Sequence, residues 1–199
     1  FGPSQRNSKS MCAVETWPPY TVTQSANRLK ELKETVDKIS SLKDESFDDV
    51  LSGLAYLLVV RCSGHLEVVS SRCFISYMSR HSKDVVSSYI ENSYKDWQKA
   101  NLENLKKLLS HVSDDVTNRF LEFLESNEST DLKSELGSLI KERSLISHGK
   151  NSSVTFRKAL DYYNLTVCIS DWFIRCFQPD GLADGVALSN IEDRNAPAL

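Results

Sequence analysis

From about Phe47 to Arg80 the chain runs as one helix-patterned segment, opened by Ser46 with Asp48 and Asp49 in its first turn and apolar on most of its sides. A helix without a continuous polar face has to be surrounded by protein. The segment therefore predicts the central helix of a bundle, and the other helical patterns read as its cover. Ser25–Leu42 places Leu29, Leu32, Val36 and Ile39 at helical spacing among lysines and glutamates, the pattern of an amphipathic surface helix. Lys43–Ser46 is a short polar break. Ser82–Trp97 carries Val85, Val86, Tyr89, Ile90 and Tyr94, and Ala100–Val112 carries Leu102, Leu105, Leu108 and Leu109. Ser113-Asp114-Asp115 caps a further helix whose inner side is Val116, Phe120, Phe123 and Leu124. Thr130 or Asp131 opens a helix with Leu132, Leu136, Leu139 and Ile140 inward. Thr155–Phe177 is an aromatic-rich closing helix that Pro179 and Gly181 stop. No segment alternates as a strand does, and the expected class is all-α.

Residues 1–22 read as a leader or cloning scar (Phe1–Ser10) followed by an extended arm, because Trp17-Pro18-Pro19-Tyr20 interrupts regular structure. Residues 23–178 form the expected helical domain, and 179–199 a flexible tail. The 199 residues carry a formal net charge of -3, so nucleic-acid binding would need a local basic site. The odd count of 5 Cys contains no C-x-x-C pair, and the 4 His fall at no metal-ligand spacing. Cys62 and Cys73 are expected to pack as small hydrophobes. A reduced cytoplasmic protein without metal, cofactor or membrane span is the expectation; the longest apolar run, Leu54–Val60, ends at Arg61.

Two constellations carry chemistry. Lys141-Glu142-Arg143-Ser144-Leu145-Ile146-Ser147-His148-Gly149-Lys150 holds an arginine and a histidine five positions apart. On a continuous helix that spacing turns them about 140° from each other. They share a site only if the helix ends between or just after them, and Gly149 is suited to end it. Asn151, Ser152 and Ser153 then make a polar turn. In the central helix, Arg61, His65 and Arg72 form one stripe, with Glu67 pointing elsewhere. Either these arginines pair with carboxylates or snorkel to the surface, or they line a phosphate-binding cleft.

An all-α bundle whose penultimate helix ends in Arg-x-x-x-x-His-Gly, followed by a polar turn and a last helix, resembles the HEPN superfamily. The RiboL-PSP-HEPN subgroup is most similar, with Gly64-His65-Leu66-Glu67 inside the long helix, a helical region after Trp97 and the ending Ile146-Ser147-His148-Gly149. The resemblance covers roughly Ser46–Phe177. It implies a metal-independent endoribonuclease cutting RNA through 2′-hydroxyl attack, with Arg143 and His148 catalytic. Ser144, Lys150, Arg61 and Arg72 are candidate substrate-binding residues. Many active members place Asn, Asp or His directly after the arginine, where this chain has Ser144.

The resemblance further implies homodimers whose two motifs face one cleft, and a setting in toxin–antitoxin, abortive-infection or phage-defence systems. The aromatics Tyr162, Tyr163, Trp172 and Phe173 either close the core of one chain or support such pairing. Alternative readings are a non-catalytic HEPN module that binds RNA or nucleotide or dimerises, and a helical interaction protein such as an antitoxin or regulatory partner. A helix-turn-helix DNA binder fits least, since no short helix clusters groove-reading side chains.

Overall fold

The computed structural model describes residues 16–42, 45–94, 99–126 and 131–179. Among these residues there are seven α-helices and no strand: α1 (Tyr20–Ser41), α2 (Asp48–Arg80), α3 (Asp84–Tyr94), α4 (Leu102–Ser110), α5 (Asp114–Glu125), α6 (Leu132–Ser147) and α7 (Phe156–Phe177). The proposed leader Phe1–Ser10, Cys12, Trp97, Thr130 and the tail from Asp180 to Leu199 lie outside the described residues.

The all-α expectation holds, and α2 is the central element. It packs against α1, α3, α6 and α7. Its buried residues occur on nearly every turn, among them Ala55, Leu58, Val59, Cys62, Leu66, Val69, Cys73 and Phe74. Burial pushes the Cys62 thiol up to about 12 and raises Cys73 as well, so both sit in the core as protonated, small apolar groups. Of the buried serines in α2, Ser70 and Ser71 are satisfied within the helix, donating to the Leu66 and Glu67 carbonyls, each at 2.7 Å, whereas the Ser63 hydroxyl has no hydrogen-bond partner among the described residues.

The closing helix α7 runs parallel to α2. Near their N-terminal ends, the Tyr56 hydroxyl donates to the Ser152 carbonyl just before α7 (2.7 Å). Near their C-terminal ends, Arg80 donates to the Phe177 carbonyl (2.6 Å) and satisfies one of the free acceptors of that terminus. Tyr162, Trp172, Phe173 and Phe177 are all buried. Phe120 of α5 meets Trp172 and Phe173 with ring centroids 4.8 and 5.6 Å apart. These α7 aromatics therefore close the core of the single chain, while Tyr163 is half-buried.

Several boundaries differ from the sequence reading for identifiable reasons. α1 begins at Tyr20, five residues before the expected Ser25, so part of the expected arm is helical. Pro19 ends the extended stretch without preventing a helix after it, and its carbonyl accepts from Val22 N–H (2.8 Å). Trp17 is docked, its indole N–H donating to the Ile174 carbonyl (3.1 Å) and its ring lying under Arg80 (4.9 Å). Ser46 does not cap α2: it lies in the short 3₁₀ turn Glu45–Phe47, and the N-cap position is Phe47, which makes no side-chain cap bond. α3 starts at Asp84, and of its apolar residues only Ile90 is buried, with Tyr94 half-buried; Val85, Val86 and Tyr89 face solvent because α3 packs mainly on α2. α4 starts at Leu102 because Asn101 caps it, accepting from Asn104 N–H (2.8 Å).

Phe120 is fully buried between α5 and α7. Its truncation, Phe120→Ala, is expected to cost about 3–5 kcal/mol in urea unfolding followed by tryptophan fluorescence.

Candidate functional site

Helix α6 is held at both ends. At its start Asp131 is the N-cap, accepting from Ser134 N–H (3.0 Å). Lys158 of α7 reaches Glu135 in the first turn through both carboxylate oxygens (2.7 and 2.6 Å). At its end the helix stops at Ser147, between Arg143 and His148, and His148 is the C-cap residue. Gly149 adopts φ 63°, the left-handed conformation that the sequence required of it. Gly149 N–H donates to the Ile146 carbonyl (3.1 Å) and Lys150 N–H to the Leu145 carbonyl (2.9 Å). Together these two bonds form a Schellman closure.

The turn after the motif is then fastened to the bundle. The Ser152 hydroxyl donates to Glu142 Oε2 (2.7 Å) and accepts from Val154 N–H (3.3 Å). The Ser152 carbonyl takes the Tyr56 hydroxyl described above. Val154 is buried. Sequence reading took Ser152 only as part of a polar turn and Tyr56 only as part of an apolar run; Glu142 carried no signal at all. The Tyr56–Ser152 contact joins residues 96 positions apart, which no local pattern encodes.

On this fixed terminus Arg143 is half-buried, while Ser144, His148 and Lys150 are exposed. Among the described residues neither the Arg143 guanidinium nor the His148 ring makes a hydrogen bond or ion pair. The terminus therefore presents a permanently charged donor fork and an imidazole, flanked by a hydroxyl and an ammonium. Such a set suits binding of a phosphate and transfer of a proton.

Arg61 and Arg72 are elsewhere. They line a groove of ≈ 610 Å³ between α1 and α2 that includes Ser25, Arg28, Gly64 and His65 and no residue of the α6 terminus. No carboxylate among the described residues forms an ion pair with either arginine, so carboxylate pairing does not account for them. His65 lies on the groove floor, only 4% exposed, with Nδ1 2.9 Å from the Ser25 hydroxyl. Burial lowers its pKa to about 4, so the ring is neutral. Glu67, the polar residue of α2 that points elsewhere, accepts from Lys99 N–H (2.9 Å) and holds the turn before α4, where Lys99 has φ 64°.

Family comparison decides the identity of this bundle. The RiboL-PSP-HEPN family model matches residues 23–173. The chain belongs to the RiboL-PSP-HEPN family. Neither the curated proteins nor the solved structures contain a match to it. The matched span takes in nearly all of α1 and everything up to Phe173 of α7, so this HEPN domain includes the groove as well as the α6 terminus. Among the described residues no three His, Cys, Asp or Glu side chains are grouped to hold a metal ion, and no helix is long and apolar enough to cross a membrane.

Two outcomes follow from the geometry. A Cβ at position 149 would meet nothing within 4 Å, so Gly149→Ala carries conformational strain alone. It should cost about 1 kcal/mol in urea unfolding, and Gly149→Asn less. The second concerns pH. The folded-state pKa of His65 lies near 4, below the ordinary value of about 6.5 in an unfolded chain. The unfolded chain therefore binds a proton first as pH falls. The stability that rests on neutral His65 is complete above about pH 6.5 and is lost progressively down to about pH 4. Between pH 7 and 4.5, wild type should lose about 2 kcal/mol more than His65→Asn, measured by urea unfolding at each pH.

Proposed function

We propose that this HEPN domain is an endoribonuclease whose reactive centre is the C-terminal end of α6. The observation that carries the reading is a pair of side chains without partners among the described residues, Arg143 and His148, on either side of a helix end fixed by Gly149 and by the Ser152–Glu142 and Tyr56–Ser152 bonds. Membership of the family supports it.

In this reading the Arg143 fork binds the non-bridging oxygens of a phosphodiester and stabilises the charge that grows on them. His148 takes the proton from the ribose 2′-hydroxyl as that oxygen attacks phosphorus. The bond to the 5′-oxygen breaks, leaving a 2′,3′-cyclic phosphate, and the departing oxygen takes a proton to become a 5′-hydroxyl. Ser144 and Lys150 add a hydroxyl and a positive charge beside the same strand. No metal enters this scheme. One imidazole cannot be acid and base in the same step, so the second proton comes from His148 of another copy in a homodimer with the two α6 ends facing. The biological setting is a toxin or effector in a toxin–antitoxin, abortive-infection or phage-defence response, restrained by a regulatory partner, in the cytoplasm.

A second reading also has an observation behind it. His148 and Ser144 are exposed on the single chain, and serine stands where many active members have Asn, Asp or His. The domain is then a non-catalytic module that binds RNA or nucleotide, or dimerises, as a regulatory partner.

Cleavage of a mixed RNA pool in EDTA separates the two. Wild type is expected to leave cyclic-phosphate ends and to spare DNA. His148→Ala and Arg143→Ala are each expected to lose activity by about 10²-fold or more with unchanged helical content. RNA left intact by wild type, yet bound more weakly by both variants, establishes the binding module instead.

A further inference from the structure

The groove between α1 and α2 is a second place where this chain can meet an anion, and it is independent of the α6 terminus. α1 runs antiparallel to α2, and the two helices leave between them a trough lined by Arg28 from α1 and by Arg61 and Arg72 from α2. None of the three guanidiniums has an ion-pair partner among the described residues. The long chain of an arginine can lie on an apolar floor, here Leu29, Leu57, Val60 and Val68, while its head stays available.

Neighbouring polar groups in the trough, Thr21, Gln24 and Ser25, are neutral, and the His65 ring is held neutral by burial. The local field is therefore set by the arginines, although the whole chain carries -3.

Shape indicates what kind of anion fits. Arg61 and Arg72 are eleven residues apart on one helix, about 16 Å along its axis. A single phosphate cannot bridge that span, whereas a repeated anion can. The trough also continues: a smaller pocket of ≈ 300 Å³ shares Thr21 and Arg72 with it and extends past Pro19, Tyr20 and Ser79 to Glu91. Tyr20 is 71% exposed there, an aromatic face beside the cationic track. Spaced cations along a groove together with an exposed aromatic ring are what a single-stranded nucleic acid uses, phosphates on the former and a base on the latter. Glu91, a carboxylate, marks the far end.

We propose that the α1–α2 groove is a non-catalytic binding track for single-stranded nucleic acid, with Arg28, Arg61 and Arg72 on the phosphates and Tyr20 stacking on a base. The track needs no chemistry at Arg143 or His148, and it stands whether or not the α6 terminus cleaves.

The test is fluorescence anisotropy of the full chain with a fluorescein-labelled 2′-O-methyl oligouridylate, which cannot be cut through a 2′-hydroxyl, over a range of KCl. Arg61→Gln/Arg72→Gln is expected to weaken binding about tenfold or more. It should also lower the slope of log affinity against log salt by about 1.4, two phosphate contacts at about 0.7 each. Tyr20→Ala is expected to weaken binding at least about fivefold without changing that slope. Lys38→Gln/Lys83→Gln removes the same charge from exposed positions off the groove and is expected to change little. Circular dichroism of each variant checks the fold. Equal affinity and slope for wild type and the double arginine variant overturn the proposal. So does equal weakening by the two lysine changes, which reduces the effect to overall charge. Displacement of the strand by micromolar inorganic pyrophosphate assigns the groove to a small phosphorylated ligand and likewise overturns it.

Discussion

The burial of α2 is the constraint on which everything else in this fold depends. A helix of 33 residues with apolar side chains on nearly every turn cannot lie on a surface. It must be walled by α1, α3, α6 and α7, and it is. The wall is made largely of side chains that match its own, such as Phe177 against Phe74 and Tyr77. The wall is imperfect along the seam with α1, and that is where Arg61 and Arg72 occur. The position of the charged stripe is thus a consequence of packing: guanidiniums are tolerated on a central helix only where a neighbouring helix leaves a trough open to water.

The same constraint fixes the α6 terminus from below. α6 is one of the walls, so its axis is set by Leu132, Leu136 and Leu139 against the core. The chain then has to reverse into α7, the parallel neighbour of α2. Gly149 makes the reversal, and Tyr56 of α2 grips it through the Ser152 carbonyl. A terminus bound on one side by a Schellman closure and on the other by two side-chain bonds has few ways to move. Preorganisation of this kind is what electrostatic stabilisation of a phosphoryl transition state requires, because donors already in place need no reorientation as charge develops.

Much of this was legible in the sequence, for local reasons. The span of α2, the Ser113 and Asp131 caps, the stop at Gly149 and the run of α7 each rest on side chains acting within a turn or two of themselves. The failures were of two kinds. Trp17-Pro18-Pro19-Tyr20 was read as a barrier, yet proline's restriction acts on the residues before it, and the chain after Pro19 was free to be helical. Val85, Val86, Tyr89, Ile90 and Tyr94 marked a helix, yet which of them are covered depends on the helices that pack there, and Val85, Val86 and Tyr89 face solvent. The three-residue stripe on α2 was visible as a stripe. That α1 would bring Arg28 and Ser25 opposite it was not, since antiparallel pairing of two helices leaves no trace in the periodicity of either.

Separate placement of the two cationic features has a physical consequence for an acidic chain. A diffuse positive charge spread over the surface would be largely cancelled by the carboxylates interspersed with it, within a screening length of about 8–10 Å. Concentrating guanidiniums in a trough where no carboxylate among the described residues pairs with them avoids that cancellation, and the low-dielectric walls keep the field directed outward from the groove. At the α6 end, Glu142, the acidic residue beside Arg143 in the sequence, has its carboxylate engaged by Ser152. Tyr56, which fastens the α6–α7 turn, and Arg61, at one end of the trough, are five residues apart on α2, about 7.5 Å along its axis. α2 therefore fixes the spacing between the groove and the α6 terminus as a rigid rod would. Any strand that engages both must bend round the circumference of α2 between them, since positions five apart on a helix face about 140° from each other.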